Sequence, residues 1–247
     1  MCQNLDRQSR KGGVFELKIG IFTDAHYSSK EVSCTRRFNN QSLRKIQEAY
    51  EYFERGLCDA VICLGDLIDT EDTVEKEIEN LSLIAQVIKK SPLKTICLMG
   101  NHDAFVLPPH KFYSILGTEP PHSISIEGRS LIFLDACYFK SGEHYSPGDS
   151  DWKDTYYPFA DELKKELESL SSPTYVFIHQ NLDPEIEENH RLSNSKEILD
   201  VIEQSGIVKA VFQGHYHPGK ESVHNGIRYL TLPAMCENET AYWVLEL

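Results

Sequence analysis

Side chains that can bind metal ions occur in five short groups along this chain. Aspartate, asparagine and histidine supply the oxygen and nitrogen ligands that Mn, Fe and Zn accept. In an extended segment, residues i and i+2 point to the same side, so a spaced pair can direct two side chains toward one place. The groups indicate a metal centre, and they are Asp24-Ala25-His26, Gly65-Asp66-Leu67-Ile68-Asp69, Gly100-Asn101-His102-Asp103, His179 and Gly214-His215-Tyr216-His217.

Each group directly follows a short apolar segment of strand length, at 17–22, 60–64, 95–99, 175–178 and 210–212. Ligands of open α/β sheets bind outside the carboxyl ends of the strands. Any single group has an ordinary explanation: D-x-H arises by chance, G-D-x-x-D can be a turn, and His179 alone can be a core histidine. Five groups in order at strand ends favour one shared site. The glycines before Asp66, Asn101 and His215 are expected to let the backbone turn sharply.

The elements around these groups predict an α/β fold. Apolar spacing of three and four residues predicts helices at 37–55, 74–89, 159–170 and 196–203. A hairpin is expected at 123–126 and 131–134, and further strands at 227–232 and 242–245. The pattern predicts a mixed sheet, or two packed sheets, covered by helices. One domain is expected at 15–247, after a flexible tail at 1–14, with long loops at 105–122, 137–158 and 180–194.

Composition limits the partners of the protein. The net charge of −13 over 247 residues opposes a nucleic-acid polymer as substrate, and no apolar run reaches the ~20 residues of a membrane helix. No secretory segment is visible, and seven cysteines without C-x-x-C spacing fit a reducing cytoplasm. An acidic protein with an anionic substrate needs a local positive charge, which bound metal ions would supply.

The five groups together resemble the calcineurin-like metallophosphoesterase superfamily over residues 17–217. The resemblance implies a sandwich of two mixed β-sheets flanked by helices. It implies two sets of metal ligands that share Asp66. The first set is Asp24, His26, Asp66 and His217, and the second is Asp66, Asn101, His179 and His215.

The same resemblance implies a two-metal hydrolysis. The ligands are nitrogen and oxygen without cysteine, which suits Mn, Fe or Zn. With two carboxylates and a hydroxide, two divalent ions leave a net charge of about +1. Ions ~3.5–4 Å apart can hold a nucleophilic hydroxide and polarise the phosphoryl group for in-line displacement. His102 is expected to protonate the leaving oxygen, and Asp69 to orient His102.

The substrate class rests on finer features. The protein-phosphatase branch has an arginine where this chain has Thr70. The segment Thr35-Arg36-Arg37-Phe38, with Ser42-Leu43, resembles the manganese-dependent ADP-ribose/CDP-alcohol diphosphatases. Arg36 and Arg37 are thus candidate substrate ligands, although a solvated helix start explains them equally well. Aromatic residues in loops 105–122 and 137–158, Trp152 among them, could stack on a base, whereas five histidines outside the motifs are expected on the surface: His110, His122, His144, His190 and His224.

These features predict hydrolysis of a small, nucleotide-derived phosphodiester or pyrophosphate. The alternatives are a phosphodiesterase acting on cyclic nucleotides or glycerophosphodiesters, a phosphomonoesterase, a nuclease and a non-catalytic scaffold. A scaffold of this fold usually lacks ligands, and none is missing here. The sequence leaves the native metal and the oligomeric state open.

Overall fold

The computed structural model of the protein describes residues 16–30, 36–148 and 154–247. The predicted tail at 1–14 lies outside these residues, as do Cys2, Cys34 and Trp152. The domain boundary at residue 15 stays a prediction.

In the described residues ten strands form two sheets, and both sheets mix parallel and antiparallel pairs. The first sheet has four strands in the order β10 (Tyr242–Glu246), β1 (Lys18–Phe22), β2 (Ala60–Cys63) and β3 (Lys94–Cys97). Only the β10–β1 pair is antiparallel. The second sheet has six strands in the order β4 (Ile124–Ile126), β5 (Arg129–Leu134), β6 (Thr174–Ile178), β7 (Val208–Gln213), β9 (Ile227–Thr231) and β8 (Lys220–His224).

The helices cover the outer faces of the two sheets, and the bulk of the apolar core lies in three layers. Strand residues of both sheets, such as Ile21 and Phe177, pack against each other in the middle layer. The outer face of the first sheet packs on α1 (Ser42–Arg55), α2 (Val74–Lys90), α3 (Asn101–Val106) and α4 (Pro109–Leu116). The outer face of the second sheet packs on α5 (Ala160–Ser169) and α6 (Ser195–Ser205). The predicted sandwich of two mixed sheets flanked by helices is confirmed.

Two local expectations were wrong, and one strand was missed. The segment 105–122 is not a loop: it contains the end of α3 and all of α4, which starts at Pro109, a residue that is favourable at the first position of a helix. The first helix begins at Ser42, after a short 3-10 turn at Asn39–Gln41. Strand β8 was missed because its one large apolar side chain, Val223, is 64% exposed while Ser222 is buried.

The carboxyl ends of β1, β2 and β3 lie at the same edge of the first sheet, because these strands are parallel. The carboxyl ends of β6 and β7 likewise share an edge of the second sheet. All five metal-capable groups follow these ends, so the topology brings them together.

Membrane-spanning helices and the state of the cysteines bear on where the protein is located. Within the described ranges, no helix combines the length and the hydropathy that crossing a bilayer requires. The cysteines that the structure describes are buried free thiols: Cys58, Cys63, Cys97, Cys137 and Cys236. The cytoplasmic location stays a prediction.

Candidate metal centre

One oxygen of Asp66 lies where two groups of side chains meet. Asp66 Oδ2 is 3.5 Å from His26 Nε2 and 3.2 Å from His179 Nε2. On the His26 side, His217 Nε2 lies 3.2 Å from His26 Nε2. Asp24 Oδ1 is 3.6 Å from His26 Nε2 and 3.4 Å from His217 Nε2. Four of the predicted ligands therefore form a first group.

The second group lies on the other side of Asp66. Asn101 Oδ1 is 3.2 Å from His179 Nε2. Ligand atoms of Asp66, His179 and His215 all lie within 4.8 Å of one another. The seven side chains thus form two clusters that share one carboxylate.

Four of these residues adopt a backbone conformation that is unusual outside glycine. The φ angles are 52° at Asp24, 44° at His26, 54° at Asp66 and 66° at His215. Such left-handed residues each cost of order 1–3 kcal/mol and tend to cluster at functional sites. Backbone hydrogen bonds hold the turns, with His26 N donating to Asp66 O at 2.9 Å and Asp24 N donating to Gly65 O at 3.1 Å.

Each carboxylate is anchored through one oxygen and directs the other toward the histidines. Asp24 Oδ2 accepts hydrogen bonds from Thr23 Oγ1 at 2.6 Å and from the backbone N–H of His215 at 3.0 Å. Asp66 Oδ1 accepts one from the backbone N–H of His102 at 2.8 Å. These bonds fix the rotation of both carboxylates.

Two glycines are required here by space rather than by conformation. A Cβ on Gly100 would lie 2.1 Å from Asp66 Oδ1, and a Cβ on Gly214 would lie 2.2 Å from Thr23 Oγ1. Gly100 has an ordinary φ of −97°. The expectation that the glycine serves a sharp turn is therefore wrong for Gly100: its missing side chain lets the chain approach an anchored carboxylate.

Hydrogen bonds to the far nitrogen of two histidines set which nitrogen faces the site. His179 Nδ1 lies 3.0 Å from the carbonyl oxygen of Leu64, and His217 Nδ1 lies 2.5 Å from Glu237 Oε1. If Nδ1 carries the proton and donates it, Nε2 keeps its lone pair for a ligand bond. The motifs did not indicate Glu237.

The electrostatics of the cluster suit bound cations. Burial, and then the nearby His102, lowers the pKa of His26 to about 4; burial, and then His179, lowers the pKa of His215 to about 3. Both rings are therefore neutral near pH 7, which is the ligand form of histidine. Although burial opposes ionisation, contacts with His217 and His26 hold the pKa of Asp24 well below its ordinary value.

One buried atom tests whether the residues fit a metal ion. Asp24 Oδ1 is buried and accepts no hydrogen bond from the described residues. A buried carboxylate oxygen without a donor is costly, and a cation would compensate it. Four imidazoles, of which those of His26 and His215 are neutral near pH 7, together with two carboxylates and an amide oxygen, make a donor set that fits divalent metal ions.

The predicted acid lies beside this centre. His102 Nδ1 is 3.2 Å from Asp69 Oδ1, and the His102 ring meets the His26 ring edge-on at 4.5 Å. Asp69 is held by Thr70 N at 2.8 Å and by Asn39 Nδ2 at 3.0 Å. Burial opposes the charged form, but Asp66 and Asp69 raise the pKa of His102 above 6.5.

A cavity of about 320 Å³ opens over the centre. Arg37 lines it and lies 3.5 Å from Asp69 Oδ2 through Nη1, whereas Arg36 is exposed and does not line it. No lining residue comes from the described parts of 105–122 or 137–158, and residues 149–153 lie outside the described residues. The lining residues are Arg37, Asp66, Asn101, His102, His190, His215, Tyr216, His217, Pro218 and Glu237.

His190 was expected on the surface, and the structure places it at the cavity instead. It lies at the end of a 3-10 turn, Glu188–His190, with its ring 5.3 Å from the ring of Tyr216. Neither residue was a candidate in the sequence. Tyr216 stands between the two histidines of the H-x-H motif, which was the available signal.

The family model of calcineurin-like phosphoesterases matches residues 17–219. This chain belongs to the calcineurin-like phosphoesterase family. It is an enzyme that hydrolyses phosphoesters, as predicted. The seven clustered side chains of this phosphoesterase all lie within the matched segment.

Two curated relatives are phosphodiesterases. The phosphoesterase is 24% identical over 212 residues to a probable cyclic nucleotide phosphodiesterase of Fibrobacter succinogenes, covering 81% of this chain and 73% of the relative. It is 24% identical over 237 residues to the 3',5'-cyclic adenosine monophosphate phosphodiesterase CpdA of Haemophilus influenzae, covering 89% and 77%.

The fold is shared with solved structures. A dimetal phosphatase from Danio rerio superposes with a TM-score of 0.78 at 16% identity, covering 94% of this chain and 92% of that one. The structure of TT1561 from Thermus thermophilus superposes with a TM-score of 0.59 at 10% identity, covering 94% and 99%. These likenesses support the sandwich architecture.

Proposed function

We propose that this phosphoesterase uses two metal ions to cleave a small phosphodiester or pyrophosphate derived from a nucleotide. The observation that carries the proposal is the position of Asp66 Oδ2 between two ligand clusters. Mn, Fe or Zn would fit both clusters. The proposed first set is Asp24, His26, Asp66 and His217, and the second is Asp66, Asn101, His179 and His215.

The ions, when bound, would supply positive charge for the phosphoryl oxygens and a nucleophile at neutral pH. The protein's own part begins with holding the ligands in their reactive forms. The bonds from His102 N and His215 N fix the carboxylates. The low pKa values of His26 and His215 keep their rings neutral.

His102 would protonate the leaving oxygen. Its ring lines the cavity, and Asp69 holds its Nδ1 side, which leaves Nε2 for the substrate. The raised pKa favours the charged form of the ring, which is the form that a general acid needs. We assign His102 as the acid and Asp69 as the residue that orients it.

The cavity supports a small substrate. A volume of about 320 Å³ suits a small molecule, and the net charge of −13 disfavours a polynucleotide. The two phosphodiesterase relatives favour a cyclic nucleotide. Arg37 favours the second candidate, a pyrophosphate, because a guanidinium can bind a second phosphate.

A substrate comparison tests the proposal. Protein loaded with Mn or Zn would be assayed for kcat/KM on cyclic AMP, ADP-ribose, a glycerophosphodiester, a nucleoside monophosphate and a phosphopeptide. We expect cyclic AMP or ADP-ribose to lead. A phosphopeptide that leads by tenfold, about 1.4 kcal/mol of transition-state binding, would overturn the substrate class. Two bound ions without turnover of any ester would instead indicate a scaffold.

A further inference from the structure

A buried cysteine lies against the first ligand cluster. Ligand atoms of Cys236, His26 and His217 all lie within 4.8 Å of one another. Donors that share one zinc ion lie within about 4.4 Å, the sum of a Zn–S and a Zn–N bond. The sulfur therefore needs at most a small adjustment to reach the same ion as the two histidines.

The backbone of Cys236 is held in place on both sides. Its N–H donates to Asp24 O at 3.0 Å, and its carbonyl oxygen accepts from Phe38 N at 3.0 Å. The buried Lys45 ammonium donates to Met235 O at 3.0 Å and to Asn238 O at 2.9 Å. Cys236 is thus fixed against the turn that carries Asp24.

An independent feature of the same cluster calls for a cation. Asp24 Oδ1 is fully buried and accepts no hydrogen bond within the part of the chain that the structure describes. It faces the two histidine nitrogens at 3.6 and 3.4 Å. Asp24 Oδ1 and the Cys236 thiol thus lie near the same two imidazoles, those of His26 and His217.

We propose that Cys236 is a sulfur ligand of the first metal position and makes that position prefer Zn, Co or Cd over Mn. The inference rests on the proposed dinuclear centre. As the sulfur–metal bond forms, the thiol releases its proton to solvent and no electron is transferred. Thiolate favours softer ions than carboxylate does. The second position, where the proposed ligands are oxygen and nitrogen, would not share this preference.

Cobalt reports sulfur ligation directly, because a thiolate bound to Co²⁺ gives an intense charge-transfer absorption in the near ultraviolet. Apo protein would be titrated with Co²⁺, and bound cobalt counted by mass spectrometry. We expect the band in the wild type and its loss in Cys236→Ser. Cys58→Ser is the matched control, since Cys58 is a buried thiol before the amino end of β2, and it should keep the band.

Ion competition gives a second readout. Each protein would be dialysed against equal concentrations of Cd²⁺ and Mn²⁺, and the ratio of bound Cd to bound Mn measured. We expect this ratio to be at least tenfold lower in Cys236→Ser than in the wild type, and unchanged in Cys58→Ser. Cys236→Ala, checked for native circular dichroism, guards against a serine-specific folding defect. Two bound cobalt ions without the band, or with the band intact in Cys236→Ser, would refute sulfur ligation and leave the dinuclear centre standing. A wild type that binds no ion would refute both.

Discussion

The ligand turns and the cavity wall of this phosphoesterase are built differently. Asp24 and His26 are 0% exposed and Asp66 is 1% exposed, and backbone N–H groups anchor both carboxylates. The wall is looser: the Arg37 side chain is 21% exposed, and His190 lies on a single 3-10 turn. Burial and backbone hydrogen bonds restrict the ligand turns, because the turns hold charged side chains in a buried site. These two side chains of the wall are more exposed, so their identity can change without disturbing the ligands. This suits a surface that selects among substrates.

The largest effect should come from the shared ligand. Asp66→Asn removes the anionic oxygen between the two clusters, so we expect loss of metal at both positions. The kcat/KM should fall roughly 10³-fold or more, which corresponds to a loss of about 4 kcal/mol in transition-state stabilisation. Metal content and kinetics measure this together. The exposed Asp161→Asn on α5 should change neither, and a variant of Asp66 that keeps both ions would contradict the shared role.

Loss of the proposed acid should come next. His102→Ala should lower kcat by about 10²–10⁴-fold on an ester with an alkoxide leaving group. The loss should be much smaller for a nitrophenyl ester, whose leaving group needs little protonation. Both metals should stay bound. Equal losses of kcat on the two esters would mean that His102 only stabilises charge in the transition state and does not protonate the leaving group.

The pH profile tests how Asp69 acts. Asp66 and Asp69 raise the pKa of His102 against the effect of burial, so its acid form persists to higher pH than that of a free histidine and is lost as pH rises through the raised pKa. Asp69→Asn removes part of that attraction. The alkaline limb of kcat/KM for an alkyl ester should therefore move to lower pH. An alkaline limb at the same pH in Asp69→Asn would show that a group other than His102 produces it.

The smallest effect should come from the wall. His190→Ala removes a ring beside Tyr216, and an aromatic contact of about 0.5–1.5 kcal/mol corresponds to a KM increase of roughly 2–12-fold. The kcat should be unchanged, and the increase should depend on the base of the substrate. His110→Ala, at an exposed position of α4, is the control. A fall in kcat as large as the expected rise in KM would mean that His190 takes part in the chemical step. The distinction between the ligand turns and the cavity wall would then not hold.

The same contrast explains what the sequence could predict. The ligand turns follow buried strands, and their glycines are dictated by close contacts such as that of Gly100 with Asp66. The placement of metal-capable residues directly after each strand is a local pattern, so motif and spacing identify these turns, although the contact that requires Gly100 is tertiary. Apolar periodicity predicted the helices and most strands but left open one mixed sheet or two packed sheets, and the family resemblance implied the sandwich. The polar edge strand β8 gave no periodic signal.

The neighbours of the ligands depended on tertiary contacts that no spacing reveals. Cys236 and Glu237 reach the first cluster from a segment without a recognised motif. One signal was available: this segment follows β9, which is parallel to β7, so it leaves the sheet at the same edge as His215. The wall residue His190 had no comparable signal, since its position depends on an irregular segment.

The pairing of β1 with β10 has a consequence for biosynthesis. Strand β1 leads directly into Asp24, yet its antiparallel partner is the last strand of the fold. The same turn also needs late segments, because Thr23 O and Asp24 O accept from Met235 N and Cys236 N. During translation the first ligand turn stays without these partners until residues 235–236 and 242–246 have left the ribosome. Loading of the proposed metal centre would therefore follow the synthesis of these late segments, and the ions available to the folded chain would decide which of them it receives.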